Sequence, residues 1–146
     1  MQTINIITEY KQYLPLLMLA DPDEKMLNKY ITRSDIYVLK DGDTAISIAA
    51  VLPLDDKKVE LKNFATAPEY QNKGYARQVL NHIFDVYSKS HSFMLVGTAD
   101  NGVPFYEKFG FVYSHTVKDF FVKNYPAPIY DEGVQCIDMI YLSKKL

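Results

Sequence analysis

The 146-residue chain has one cysteine, Cys136, which excludes an intrachain disulfide framework and a cysteine-rich zinc site. A single thiol fits a reducing compartment. No charge sign is in excess: 16 lysines and arginines stand against 18 aspartates and glutamates, for a net charge of −2. The basic footprint of a nucleic-acid binder is therefore missing. No segment approaches the roughly 18 consecutive apolar residues that span a bilayer. The opening MQTINIITEY has neither a basic start nor a long apolar run, so it does not read as a secretory leader. His82, His91 and His115 show no metal-ligand spacing, and no metal is expected. Repeats, low-complexity tracts and linkers are absent. These absences imply one soluble, cytoplasmic domain over residues 1–146, with no membrane or nucleic-acid partner.

Apolar residues make up 48% of the chain, enough for a sizeable core. Thr3 to Ile7 reads as a first strand, followed by a helical region that Pro15 breaks or kinks. In ADPDEKMLNKYI, Asp21 is expected as N-cap, Pro22 as first helical residue and Glu24 as capping-box partner. Ile36 to Leu39 and Thr44 to Leu52 are β-rich, joined by the hairpin signal KDGD. A third run, Val59 to Thr66, stops at Ala67-Pro68. Ala76, Val79, Leu80, Ile83, Phe84 and Tyr87 then form the stripe of an amphipathic helix. Phe93 to Thr98 reads as a buried strand, and Pro104 to Phe109 as a short helix stopped by Gly110. Phe111 to Val117 and Val134 to Leu142 read as the last strands, with Cys136 a small hydrophobe in the second and Lys144 and Lys145 a solvated tail. Between them lies KDFFVKNYPAPIYDEG, rich in aromatics and proline. The strand–helix–strand unit in the middle implies a parallel pair with a right-handed crossover, flanked by antiparallel hairpins. The fold class is α/β (α+β): a mixed, mostly antiparallel sheet carrying helices.

The turn EYQNKGYARQVL joins the third strand to the amphipathic helix. A helix N-terminus leaves amide N–H groups without intrahelical acceptors and adds partial positive charge, so an anion fits there. Gly74 lets a phosphate approach the backbone, Ala76 keeps the next position small, and Lys73 and Arg77 add charge at the rim. On these residues alone, an ordinary helix start with a solubilising basic pair reads equally well. The phosphate-loop pattern GxxxxGK[ST] and the dinucleotide pattern GxGxxG are both absent.

ELKNFATAPEYQNKGYARQVLNHIF resembles the central motif of the GNAT N-acetyltransferases, in which a strand and a Pro-containing turn lead through Gln/Arg-x-x-Gly-x-Gly/Ala into a helix. The hexad here is Gln71-Asn72-Lys73-Gly74-Tyr75-Ala76. A second hallmark follows in ADNGVPFYEKFGF, with Asn101, Tyr106 and a closing Gly-Phe. The element order matches along essentially the whole chain, and the tail is similar to that of small bacterial members.

The resemblance implies a central splayed parallel pair, helices on both faces, and acetyl-CoA as co-substrate held in the cleft between the two strands. It implies that the pantetheine arm pairs with the main chain of Phe64, Ala65 and Thr66. The pyrophosphate would sit on the amides of Gln71, Asn72, Lys73, Gly74, Tyr75, Ala76 and Arg77, and Asn101 and Tyr106 would touch the cofactor. Glu60 stands at a position that carries a catalytic glutamate in some members, and pairing with Lys58 or Lys62 is its plainer role. Tyr106 matches the family's acid for the CoA thiolate, and a core tyrosine is its plainer role. Tyr130 and Asp131, with Glu132 beside them, are candidates for the acceptor side, against a packed loop or dimer contact. The expected acceptor is a small-molecule or peptide amine, and the expected state a monomer or homodimer. Two rivals stand beside this reading: a catalytically inactive acyl-CoA-binding regulatory module, and a generic phosphate or nucleotide binder.

Overall fold

The computed structural model describes residues 1–146. The strands are β1 (Gln2–Ile7), β2 (Asp35–Asp41), β3 (Thr44–Pro53), β4 (Lys58–Thr66), β5 (Phe93–Thr98), β6 (Val112–Val117), β7 (Tyr130–Asp131), β8 (Val134–Gln135) and β9 (Met139–Lys145). The helices are α1 (Leu14–Ala20), α2 (Glu24–Asn28), α3 (Tyr75–Ser88), α4 (Val103–Glu107) and α5 (Phe120–Asn124). Seven strands form one sheet in the order β1-β2-β3-β4-β5-β9-β6, and β7 and β8 pair in a hairpin of their own. Every neighbouring pair is antiparallel except β4 and β5, which α3 connects.

The core lies on both faces of the sheet. Val79, Leu80 and Ile83 of α3 pack one face against Leu39, Val51, Leu61, Met94 and Leu142. Leu16 and Leu17 of α1, with Leu27, Tyr30 and Ile31, cover the other against Ile36, Val38, Ile48 and Ala50. Strand β3 is buried from Ile46 to Leu52, which is why it reads as a continuous apolar run rather than an alternating one.

Several expectations are corrected. The helical region divides just ahead of Pro15 into a 3-10 turn, Lys11–Tyr13, and α1; Pro15 itself interrupts no helix interior but sits in the first turn of α1, where its missing N–H costs nothing. The N-cap of α2 is Asp23, whose carboxylate accepts from the Lys25 and Met26 amides. Asp21 instead ends α1 and is buried. The last strand does not begin at Val134. Val134 and Gln135 pair with Asp131 and Tyr130, Cys136 is buried in the link that follows, and β9 starts at Met139. Lys144 is no tail residue: it lies within β9 with its ammonium 4.8 Å from the centre of the Phe84 ring. Phe111, expected to open a strand, is a fully buried core side chain just before β6. Part of the long aromatic connection forms α5.

Candidate active site

The parallel pair is short. Lys58, Val59, Glu60 and Leu61 face Phe93, Met94, Leu95 and Val96, and there the pairing ends. Both strands continue, β4 to Thr66 and β5 to Thr98. A bulge sets the fork. Ala50 faces Asn63 and Val51 faces Leu61, so Lys62 is an extra residue with no partner on β3. An extra residue bends a strand and sharpens its twist. It also exchanges the two faces: Val59 and Leu61 point to the α3 side, but beyond the bulge Ala65 points to the α1 side and Phe64 to the α3 side. The sequence carries this signal as a phase break, with apolar residues at 59, 61 and then 64 rather than 63.

At the far end of β4 the chain turns through two left-handed residues, Asn72 at φ 61° and Gly74 at φ 87°. Gly74 is the N-cap of α3, and a Cβ built on it meets nothing within 4 Å. The space in front of this backbone is open. The first hydrogen bond of α3 runs from the Gln78 N–H to the Gly74 carbonyl. The amide N–H groups of Asn72 through Arg77 donate to no other protein atom. Successive unpaired amides in such a turn form a concavity for an anion. The Gln71 side chain plays another part: its Nε2 donates to the Thr66 carbonyl at 3.0 Å and holds the turn onto the strand. Lys73 and Arg77 rest on aromatic rings, 6.0 Å from the centre of Tyr70 and 4.9 Å from that of Phe109.

The fork opens into a cavity of about 590 Å³ that both strands line. Phe64, Tyr106, Tyr130 and Asp131 face it, as do Glu60 and Lys62. Glu60 Oε2 lies 3.3 Å from the Lys62 ammonium and accepts from the Tyr141 hydroxyl at 3.4 Å. Burial and the Glu60 charge push the Tyr141 phenol up to about 12. Burial alone pushes the Tyr106 phenol well above its ordinary value, and its hydroxyl makes no hydrogen bond within the protein. The Ala65 carbonyl accepts from the Ser47 hydroxyl at 2.9 Å. With the Thr66 carbonyl taken by Gln71, the main chain of β4 has fewer free acceptors here than the strand alone would offer. Asn101 donates through Nδ2 to the Asp131 carbonyl at 3.1 Å, so it pins the β7–β8 hairpin over the mouth of the cleft.

Sequence reasoning missed a buried polar chain on the α1 side. Asn63 Nδ2 donates to the Leu17 carbonyl at 2.9 Å and to the Tyr30 hydroxyl at 3.2 Å. Tyr30 donates to Asp21 Oδ2 at 3.0 Å, and Tyr125, just beyond α5, donates to Asp21 Oδ1 at 2.9 Å. Burial pushes the Asp21 carboxyl above the usual carboxylate range, and the two phenols partly offset it. These four residues come from three separate stretches of chain and show no spacing to read. The one local hint is Asn63, a polar residue only 3% exposed inside a strand.

A family model for the acetyltransferase (GNAT) domain matches residues 32–113, more than half of the chain. The chain belongs to the GNAT acetyltransferase family. Its relatives agree. It is 30% identical over 131 residues to YvbK, an uncharacterized N-acetyltransferase of Bacillus subtilis (strain 168), covering 87% of this chain and 84% of YvbK. A GNAT family acetyltransferase from Elizabethkingia anophelis with acetyl-CoA bound is 32% identical. It superposes with a TM-score of 0.92 over 99% of this chain and 98% of its own. An IAA acetyltransferase from Bacillus cereus ATCC 14579 is 31% identical, with a TM-score of 0.92 over the whole of both chains. The enzyme is thus an acetyl-CoA-dependent acyltransferase, and acetyl-CoA is its co-substrate. The open turn at Gly74 and the forked strands fit such a molecule. No helix is long and apolar enough to cross a membrane.

Proposed function

We propose that this acetyltransferase moves the acetyl group of acetyl-CoA to a primary amine by direct attack, with Glu60 as base and Tyr106 as acid. The observation that carries the reading is the run of unpaired amides from Asn72 to Arg77, placed where β4 ends beside a strand fork. Acetyl-CoA supplies the activated thioester. The amides of Asn72 to Arg77 receive its pyrophosphate, whereas the Gln71 N–H, expected to join them, is given to the Pro68 carbonyl; the main chain of Phe64, Ala65 and Thr66 borders its arm, and Asn101 and Tyr106 border it from the β5 side. The acceptor is a small-molecule or peptide amine that enters past Tyr130 and Asp131.

An amine with pKa about 10.4 is neutral only about once in 10³ to 10⁴ molecules at pH 7, and selecting that form costs about 4–5 kcal/mol. Glu60 lies in the cavity and accepts the proton, which recovers part of this cost. A main-chain N–H near Phe64 or Ala65 meets the oxygen of the thioester as charge builds there. Tyr106 keeps its proton throughout the neutral range, so it has one to give. Its raised value widens the gap to an ordinary thiol, for which an unshifted phenol would be nearly matched.

The competing reading is an acyl-CoA-binding regulatory module without catalysis. The presence of both Glu60 and Tyr106 in the cavity favours the enzyme. A thiol-release screen with acetyl-CoA across aliphatic amines, amino acids, aminoglycosides and short peptides decides between them. Release with at least one amine is expected; binding of acetyl-CoA with no release for any amine sinks the proposal.

A further inference from the structure

Lys62 is the bulged residue at the apex of the fork, the first on β4 beyond the last pair with β5. Its side chain does not leave for solvent: it is 26% exposed and lines the cavity. The ammonium stands 3.3 Å from Glu60 Oε2 and 5.2 Å from the centre of the Tyr30 ring. A solvated lysine needs neither partner. The placement is also directional. With the pyrophosphate at Asn72 to Arg77, beyond the C-terminal end of β4, the pantetheine arm runs back along β4 towards the apex. Its thioester end therefore arrives on the side where the Lys62 amine sits beside the proposed base.

We propose that Lys62 is itself an acceptor of acetyl transfer, its amine standing where the incoming amine has to stand. This rests on the reading of Glu60 and Tyr106 given above. Glu60 takes a proton from the Lys62 ammonium and passes it to solvent. The freed lone pair on Nζ bonds to the acetyl carbon, the carbon–sulfur bond breaks, and the CoA thiolate leaves with the Tyr106 proton; the second proton on that nitrogen passes through water to the Tyr106 phenolate, which restores the phenol and leaves the neutral amide. The products are N-acetylated Lys62 and CoA thiol, and no further reactant is needed. The modified side chain is neutral and bulkier, so it releases Glu60 and fills the acceptor's space. An amine that binds well displaces the Lys62 ammonium from Glu60 and protects it.

The test uses the full chain with acetyl-CoA alone as probe. Peptide mass spectrometry follows the acetylation of each lysine over time, beside melting curves with and without acetyl-CoA. Lys89, whose side chain is 74% exposed, measures uncatalysed acetylation. Lys62 is expected to react at least about tenfold faster than Lys89, because its amine is held in place. Tyr106→Phe, which leaves Lys62 untouched, should remove that advantage while Lys89 keeps its rate. A Lys62 rate no higher than that of Lys89, in protein whose melting temperature rises with acetyl-CoA, overturns the proposal and leaves acetyl-CoA binding intact. An unchanged melting temperature removes the reading beneath it as well. An equal rate in Tyr106→Phe shows plain chemical acetylation and also overturns it.

Discussion

The two ends of the cleft are built by different means. The proposed phosphate end is backbone. It consists of consecutive amides, one left-handed glycine and one left-handed asparagine, all within a few residues of the start of α3. The proposed acceptor end is side chain. Glu60, Lys62 and Asn63 of β4 meet Asp21 at the end of α1, Tyr30 beyond α2 and Tyr125 beyond α5 only after the sheet and the helices over it have assembled. A site made of main chain tolerates exchange of most side chains and demands one backbone shape. A site made of side chains can be rebuilt for another substrate without changing the fold. The end proposed for the co-substrate is local in sequence, and the end proposed for the amine is dispersed.

Three substitutions sharpen this contrast. The largest effect is expected from Tyr106→Phe. Losing an acid in the transition state lowers turnover by about 10² to 10⁴, with little change in acetyl-CoA affinity. Single-turnover thiol release and a binding titration separate the two, and unchanged turnover strips Tyr106 of its role. Next comes Gly74→Glu. A residue with Cβ at φ 87° is strained, by about 1–2 kcal/mol for a left-handed L-residue, and a carboxylate repels the pyrophosphate. Acetyl-CoA affinity should fall by about tenfold or more from the strain and repulsion together. Normal affinity places the pyrophosphate elsewhere.

The smallest effect lies at the acceptor end and is one of pH. The Asp21 carboxyl titrates higher in the folded state than its unshifted value of 3.8. Its contribution to stability is therefore fully present below that value and is lost as pH rises through the folded value. Asp21→Asn cannot ionise. Its melting temperature relative to the wild type should thus be lowest in acid and improve as pH climbs past the carboxylate range. Calorimetry of both proteins across that range measures the difference; a constant gap means that Asp21 titrates alike folded and unfolded.

The same division explains what was legible in the sequence. The helix stripe of α3, the hairpin at Gly42 and the Gly74 turn follow from local pattern, and the sheet follows from their order. Asp21 was misread because ADPDE offers two acids with capping potential, and only burial under Tyr30 and Tyr125 separates them. Met139 opens β9 because Val134 and Gln135 find a nearer partner in Tyr130 and Asp131 across a tight turn. Glu60 and Tyr106 were picked out by resemblance, and both line the cavity; pairing of Glu60 with Lys58 or Lys62 was also expected, and it is Lys62 that pairs, beside a bulge visible in the sequence only as a one-residue slip between Leu61 and Phe64.

The central claim is that an anion of acetyl-CoA docks on the bare amides ahead of α3. A titration of the isotopically labelled protein with acetyl-CoA, read by amide chemical shifts, tests it most directly. The N–H signals of Asn72 through Arg77 should move together and saturate with the signals of Phe64 to Thr66. Saturable binding that leaves Asn72 to Arg77 unmoved contradicts the account.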